Sequence, residues 1–297
     1  MWAAGLLILL ALIALCASLA LQWLKQSRRD AWLNSELMGR AQPAAHSRPC
    51  DDDLGGTMAA PLKLLILGQS NAGNHGPQPT RQALLPRWVQ VQHGSQCLWT
   101  QDPLPGASGD GRSIWSRLPQ ALQQQGLMRT PQLAVMAVQS TTIEDWSRPS
   151  SPLNRALQQE LHALKAAGWA PDLVLWQQGE ADALAGTTST NYQHAWQRLL
   201  TQLQNAGIQA PVLLARSTHC EFDPKASAAS RRADEGPVAI RAALLALSKA
   251  HAQLRLGPDT DTLTDISLRR DGCHFSGAGQ EAAAQLWAES IAEALKH

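Results

Sequence analysis

Leu64–Leu65–Ile66–Leu67–Gly68–Gln69–Ser70–Asn71 is the stretch on which the reading of this chain turns. An uninterrupted apolar run of this kind reads as a strand buried on both faces, the signature of a parallel sheet covered by helices. It stops at a glycine, which lets the backbone turn sharply, and a serine follows two residues later. In open α/β sheets, ligand chemistry sits just beyond the carboxyl ends of such strands, so Ser70 is held at the rim of the sheet and not in its core. A serine at this point also suits the capping of a following element, and the strand by itself does not separate the two roles.

Three further apolar runs share the character of the first, Leu133–Val138, Leu173–Trp176 and Val212–Ala215, and Trp88–Val91 is a short strand candidate. Between and after them lie segments with apolar residues at helical spacing: 113–125, 153–167, 191–205, 238–251 and 277–296. Gly168 and Gly207 close two of these helices. Strands alternating with helices of this length build a parallel sheet with helices on both faces. Ser70, Gln139, Gln178 and Arg216 then fall along one rim, where the strands end.

Composition narrows the classes of function. The 297 residues carry a formal net charge of +1, only 16% are charged and 44% are hydrophobic, which leaves no basic stripe for a nucleic acid. Eleven tryptophans stand against one tyrosine and two phenylalanines. Most are expected in the core, although indole faces also stack on sugar rings.

Trp2 to Leu24 contains no charged residue and is long enough to cross a bilayer as a helix. A cleavable signal peptide competes, with Ser18–Leu19–Ala20 as a cleavage site, but it calls for a positive n-region before the apolar run. The expectation is an uncleaved anchor over 1–24, a linker over 25–60 and a folded domain over 61–297. Lys25, Arg28 and Arg29 follow the span, which by the positive-inside rule holds that end in the cytoplasm. The cysteines point the other way. Outside the anchor the chain carries Cys50, Cys97, Cys220 and Cys273, an even number that suits an exported, disulfide-bonded domain; Cys220 with Cys273 and Cys50 with Cys97 is one of three possible pairings. His219–Cys220 and Cys273–His274 could also suggest zinc, but adjacent residues in extended chain point to opposite sides, and no metal site is expected.

A serine hydroxyl becomes a competent nucleophile only when a base removes its proton. The candidate base is His274, in Asp271–Gly272–Cys273–His274–Phe275. An aspartate three residues ahead, across a glycine turn, can reach the imidazole, fix its tautomer and stabilise the imidazolium. An Asp–His pair in a turn is more commonly a local hydrogen bond, so the pair gains meaning only beside Ser70. Candidate oxyanion donors are the Ser70 amide, a glycine amide of Gly109–Asp110–Gly111, and the side chain of Gln178 at a neighbouring strand exit.

At these residues the chain resembles the SGNH hydrolase superfamily, and more closely its sialate O-acetylesterase and acetylxylan esterase branch, carbohydrate esterase family 6-like. Gly68–Gln69–Ser70–Asn71, Trp176–Gln177–Gln178–Gly179–Glu180–Ala181–Asp182 and Asp271–Gly272–Cys273–His274–Phe275 match that branch's blocks in order and spacing over roughly residues 61–295. Gln139–Ser140–Thr141–Thr142–Ile143 departs from it, because relatives carry two glycines where this chain has Gln139 and Ser140, a change expected to narrow the pocket and to bear on substrate preference and not on the triad.

The resemblance implies an α/β fold, a three-layer α/β/α sandwich with a mostly five-stranded parallel sheet of the flavodoxin-like kind, here preceded by one hydrophobic helix. It implies a serine esterase that removes O-acetyl groups from a carbohydrate without a metal or organic cofactor. Ser70 would be the nucleophile, His274 the base and Asp271 its orienter. Ser70, Gly111 (or Gly109 in its place) and Gln178 would form the oxyanion hole, and Gln69, Asn71 and Glu180 would bind substrate, although Glu180 and Asp182, as acids beside Gln178, also suit holding the loop in place of doing chemistry. A surface glycan as substrate favours a membrane-anchored domain facing the periplasm or exterior. The alternatives are a lipid or small-ester hydrolase of the wider superfamily and a non-catalytic glycan-binding protein, which the presence of Ser70, His274 and Asp271 disfavours. The sequence carries no indication of oligomeric state.

Overall fold

The computed structural model describes residues 2–50, 60–78, 87–221 and 235–296. Among these residues, eight strands form one sheet, in the order β1-β4-β3-β5-β2-β6-β7-β8. They are β1 (Arg48–Pro49), β2 (Leu62–Gly68), β3 (Val89–His93), β4 (Gln96–Thr100), β5 (Pro131–Ala137), β6 (Leu173–Gln177), β7 (Val212–Arg216) and β8 (Leu254–Asp259). From β3 to β8 all neighbours are parallel; β4 and β1 add an antiparallel edge. The five expected strands are present. The sixth parallel strand, β8, is a sheet edge whose Arg255, Gly257 and Pro258 break the apolar run, as residues at an edge are free to do.

Among the described residues, eight α-helices accompany the sheet: α1 (Trp2–Met38), α2 (Leu118–Gln124), α3 (Ile143–Ser147), α4 (Pro152–Ala166), α5 (Glu180–Ala185), α6 (Ser189–Asn205), α7 (Glu235–Ala250) and α8 (Gly277–Ala294). Alternate residues of β2 feed two separate cores, because successive side chains leave a strand on opposite faces. Leu64 and Ile66 pack with Trp115, Leu118 and Trp287 of the α2 and α8 layer. Leu65 and Leu67 pack with Trp146, Leu157, Trp196 and Leu244 of the α3, α4, α6 and α7 layer. Five tryptophans, Trp115, Trp146, Trp176, Trp196 and Trp287, are fully buried here as core residues.

The N-terminal segment differs from expectation. Helix α1 does not end with the apolar run: residues 25–38, read as linker, continue it as one helix. Leu33 is fully buried in the core with α3 and α4, so this half of the helix carries an apolar contact that only the folded domain can cover. Residues beyond it also belong to the domain. The Ala41 amide donates to the Ala107 carbonyl at 2.9 Å, and β1 pairs with β4. The rest of the expected linker, 51–59, lies outside the described residues. The first half of α1 exposes Leu15, Leu19, Leu21 and Trp23, and the helix is long and apolar enough to cross a membrane, which is compatible with an anchor or a signal sequence.

Candidate active site

Gly68 sits between Ala137 of β5 and Gln177 of β6, and a Cβ there would come within 2.1 Å of the Gln177 carbonyl oxygen. Only glycine allows that approach. The chain then makes a single 3-10 turn, Ser70–Ala72, in place of a long helix, with the Gly73 amide donating to the Ser70 carbonyl. Ser70, itself buried, lines a cavity of about 330 Å³ together with Gln69, Glu180, Ala181 and His274. That volume is near the lower end of the roughly 300–1,000 Å³ of small-molecule sites.

The 271–275 turn supplies the histidine. One oxygen of Asp271 accepts from the backbone N–H groups of Cys273 (3.0 Å) and His274 (2.7 Å), and the other meets His274 Nδ1 at 2.7 Å. Burial alone would raise the Asp271 carboxyl's pKa. The hydrogen bonds from His274 and Cys273 outweigh it and hold the group below the ordinary carboxylate range. Arg269, buried beneath, donates to the carbonyls of Leu263, Cys273 and Thr260 and stacks its guanidinium on Phe275. A disulfide between Cys220 and Cys273 closes the same turn, and both cysteines line the cavity. Their sulfurs are spent on each other and are not thiolate ligands for zinc. Cys50 is likewise joined to Cys97.

Asn71 and Glu180, expected to bind substrate, are engaged with the protein. Asn71 Nδ2 donates to Glu180 Oε1 (2.7 Å) and to the Cys273 carbonyl (3.2 Å), and Asn71 Oδ1 accepts from the Phe275 amide (3.3 Å). This carboxamide therefore straddles His274 and ties its turn to the residue after Ser70. Glu180 Oε1 also accepts from Ser217 Oγ at 2.8 Å. Burial pushes the Glu180 pKa up to about 7 against these hydrogen bonds. Among the described residues nothing hydrogen-bonds its Oε2, which suits a carboxyl that holds its proton.

Two expected oxyanion donors are also committed elsewhere. Both N–H bonds of the Gln178 side chain are used, on the Thr141 carbonyl (2.9 Å) and Asp182 Oδ2 (2.6 Å), and its oxygen accepts from the Tyr192 hydroxyl at 3.0 Å. Gln178 is a buried strut between strand exits. The single N–H of Gly111 goes to the Asn74 carbonyl at 2.8 Å, and a Cβ at Gly111 would meet the Gly76 carbonyl at 2.1 Å, so this glycine serves close packing of two loops. Gln69 is better placed. Its Oε1 accepts from the Ala181 amide at 3.1 Å; a backbone N–H can only donate, so the side chain's NH2 lies on the other branch of the carboxamide, and Gln69 lines the cavity.

The chain matches, over residues 64–293, the family model described as carbohydrate esterase, sialic acid-specific acetylesterase. The chain belongs to that family. Its fold is shared with solved structures of low sequence identity. A protein from Arabidopsis thaliana superposes with a TM-score of 0.60 at 17% identity, covering 80% of this chain and 99% of its own. An aryl esterase from M. smegmatis gives 0.50 at 15% identity, covering 78% and 98%. An acetylxylan esterase from Geobacillus stearothermophilus gives 0.46 at 15%, covering 80% and 96%. No curated protein is significantly similar in sequence. The family is one of carboxylic ester hydrolases, and the three blocks recognised in the sequence all fall within the matched span.

Sequence reasoning missed several residues in and around the cavity. Arg29, read only as a charge flanking the apolar run, lines it. Gln139 and Ser140, already singled out in the sequence where they replace two glycines, do stand on the cavity and form with Thr142 the wall beside Arg29. His75 stacks on His274 at 5.5 Å, inclined by 21°, and its Nε2 lies 3.1 Å from Ser108 Oγ. Burial, aided by the neighbouring His274 and Arg270, lowers its pKa to about 4, so it packs there as a neutral ring. No tryptophan lines the cavity among the described residues.

Proposed function

We propose that this protein is a serine esterase that removes O-acetyl groups from a carbohydrate. The observation that carries the reading is the Asp271–His274 pair at 2.7 Å on the same cavity as Ser70. Ser70 Oγ attacks the acetyl carbonyl carbon while His274 takes the hydroxyl proton. The Ser70 amide and the Gln69 side-chain NH2 donate to the oxyanion that forms. The bond from the carbonyl carbon to the sugar oxygen then breaks, and His274 returns the proton to the departing sugar hydroxyl. Water, deprotonated by His274, attacks the acetyl-enzyme; acetate leaves and Ser70 regains its proton. Asp271 holds the imidazole tautomer throughout. No step requires a metal or organic cofactor.

The small cavity supports a short acyl group over a long one, which favours this reading over a lipid hydrolase of the wider superfamily. With no described tryptophan on the cavity, a purely glycan-binding reading lacks a stacking platform there. Two disulfides support a domain held in an oxidising compartment, anchored through α1 and facing the periplasm or exterior.

The test is acetate release from a panel of acetylated sugars, sialic acid and xylan fragments included, with Ser70→Ala as control. The wild type is expected to release acetate and the variant to fold normally and release none. Undiminished turnover by Ser70→Ala would remove the assignment.

A further inference from the structure

The cavity wall formed by Gln139, Ser140 and Thr142 is held from the N-terminal helix. Arg29 Nε and Nη2 donate to the two carboxylate oxygens of Asp145 at 3.1 and 2.5 Å, and Nη2 donates to the Ser140 carbonyl at 2.8 Å. Gln139 Nε2 donates to Glu36 Oε2 at 2.8 Å, and Arg148 Nη2 to Asp30 Oδ1 at 2.6 Å. Ser140 has φ of 53°, a left-handed conformation that is costly for a residue with a Cβ. The contact to its carbonyl comes from Arg29. The two positions at which this chain departs from the glycines of its resembling pattern, 139 and 140, are thus two that α1 grips.

The same helix fixes the height of the site. The apolar run ends at Trp23–Leu24, and Trp23 is the kind of residue that sits at a membrane–water interface. Arg29 follows Leu24 by five residues on one continuous helix, a rise of about 7.5 Å. The polar layer on each side of a bilayer's hydrocarbon is roughly 5–8 Å deep. A bilayer that takes up the apolar run therefore brings its headgroups to the level of Arg29 and the cavity edge.

We infer that α1 is a working part of the site: Arg29 positions the 139–145 wall, and the helix sets the cavity among the lipid headgroups, so that the substrate is an acetylated saccharide carried on a membrane lipid. This rests on the esterase reading above and on α1 being embedded. Water hydrolyses the ester, acetate leaves into solution and the deacetylated saccharide stays on its lipid. The advantage to the enzyme is effective concentration, since substrate and site share one surface.

The full-length chain in phosphatidylcholine vesicles tests this with three substrates: an acetylated sugar coupled to a lipid tail in the same vesicles, the same acetylated sugar free in solution, and a soluble chromogenic acetate. The wild type is expected to show at least a tenfold higher kcat/KM on the lipid-carried sugar than on the free one. Seven helix-forming residues inserted between Leu24 and Lys25 raise the site by about 10 Å while turning it by only about 20°. That variant is expected to lose the preference and keep its chromogenic turnover. Equal rates of the wild type on carried and free sugar, or a preference that survives the insertion, would overturn the inference; the wild-type comparison decides it if the insertion variant fails to fold. A wild type inactive on all three substrates would sink the esterase reading instead. For the wall, Arg29→Ala is expected to lower kcat/KM on the chromogenic acetate at least tenfold, with partial recovery when Ser140→Gly is added. Unchanged kinetics in Arg29→Ala, or no recovery in the double variant, would overturn the positioning role.

Discussion

The carboxamide of Asn71 donates to the carbonyl of Cys273, 202 residues later in the chain, at 3.2 Å. With the return bond from the Phe275 amide, it registers the turn that carries His274 against the turn that carries Ser70. Neither turn is an element of the sheet, so their alignment depends on this contact, on Arg269 beneath and on the neighbouring disulfide. Asn71→Ala leaves the buried Glu180 carboxyl and two backbone groups short of a partner. It is expected to cost about 1–3 kcal/mol of stability and to lower kcat at least tenfold. Thermal unfolding and acetate turnover on one preparation check it; a variant with both unchanged would show that the two turns align without Asn71.

Asp271 is the orienter of the pair and is expected to behave as one. Asp271→Asn keeps an oxygen to accept from the Cys273 and His274 amides, so the turn survives. The side-chain NH2 then faces Nδ1 and forces the proton onto Nε2, the nitrogen that must act as base. In serine triads this change lowers kcat by about 10⁴-fold. Turnover of a chromogenic acetate, with circular dichroism to show an intact fold, measures it; a loss below tenfold would mean that His274 keeps its tautomer by other means.

The fold was largely legible because β2, β5, β6 and β7 are buried on both faces and therefore read as apolar runs with turns at their ends. The edge strand β8 was not, because an edge tolerates Arg255, Gly257 and Pro258. The three blocks carrying Ser70, Gln178 and His274 were legible as local motifs. What the side chains of Gln178 and Asn71 bond to was not, since that depends on Asp182, Thr141, Cys273 and Phe275 arriving from other elements. Likewise Leu33 reads as one more apolar residue after a hydrophobic span. Only the packed domain reveals that it is the docking point of α1 and that Arg29, four residues earlier, lies at the cavity.

The two disulfides are expected to have separable effects. Cys220–Cys273 lines the cavity and closes the turn that holds His274. Cys50–Cys97 ties the β1 segment to β4, at the edge of the sheet away from β2. Replacing Cys220 and Cys273 together by serine is expected to lower kcat at least tenfold. The same change at Cys50 and Cys97 is expected to cost about 2–4 kcal/mol of stability with kcat retained. Kinetics and thermal unfolding of both variants, with reduced wild type alongside, separate them; full activity in the Cys220/Cys273 variant would show that Arg269 and Asn71 hold the turn unaided.

Glu180 gives the protein a pH dependence of unusual sign. Its carboxyl, ordinarily near 4.5, is raised by burial to about 7. Between those values the unfolded chain has released a proton that the folded chain retains, so stability falls as pH rises from about 4.5 to about 7 and is level beyond. Asp102 and Asp182, both raised by burial to about 6, act in the same direction over a narrower window. Asp271 is depressed and acts oppositely, but only in acid, where stability is lost as pH drops through its folded value. A shift of the size seen at Glu180 corresponds to on the order of 3 kcal/mol. Glu180→Gln keeps an oxygen to accept from Asn71 and Ser217 and places a neutral NH2 where the protonated carboxyl has its hydroxyl. The variant is therefore expected to match the wild type in stability near pH 4.5 and to exceed it above pH 7. Denaturant unfolding across that range reads the difference directly, and parallel curves for the two proteins would mean that Glu180 ionises in the folded state as readily as in the unfolded one.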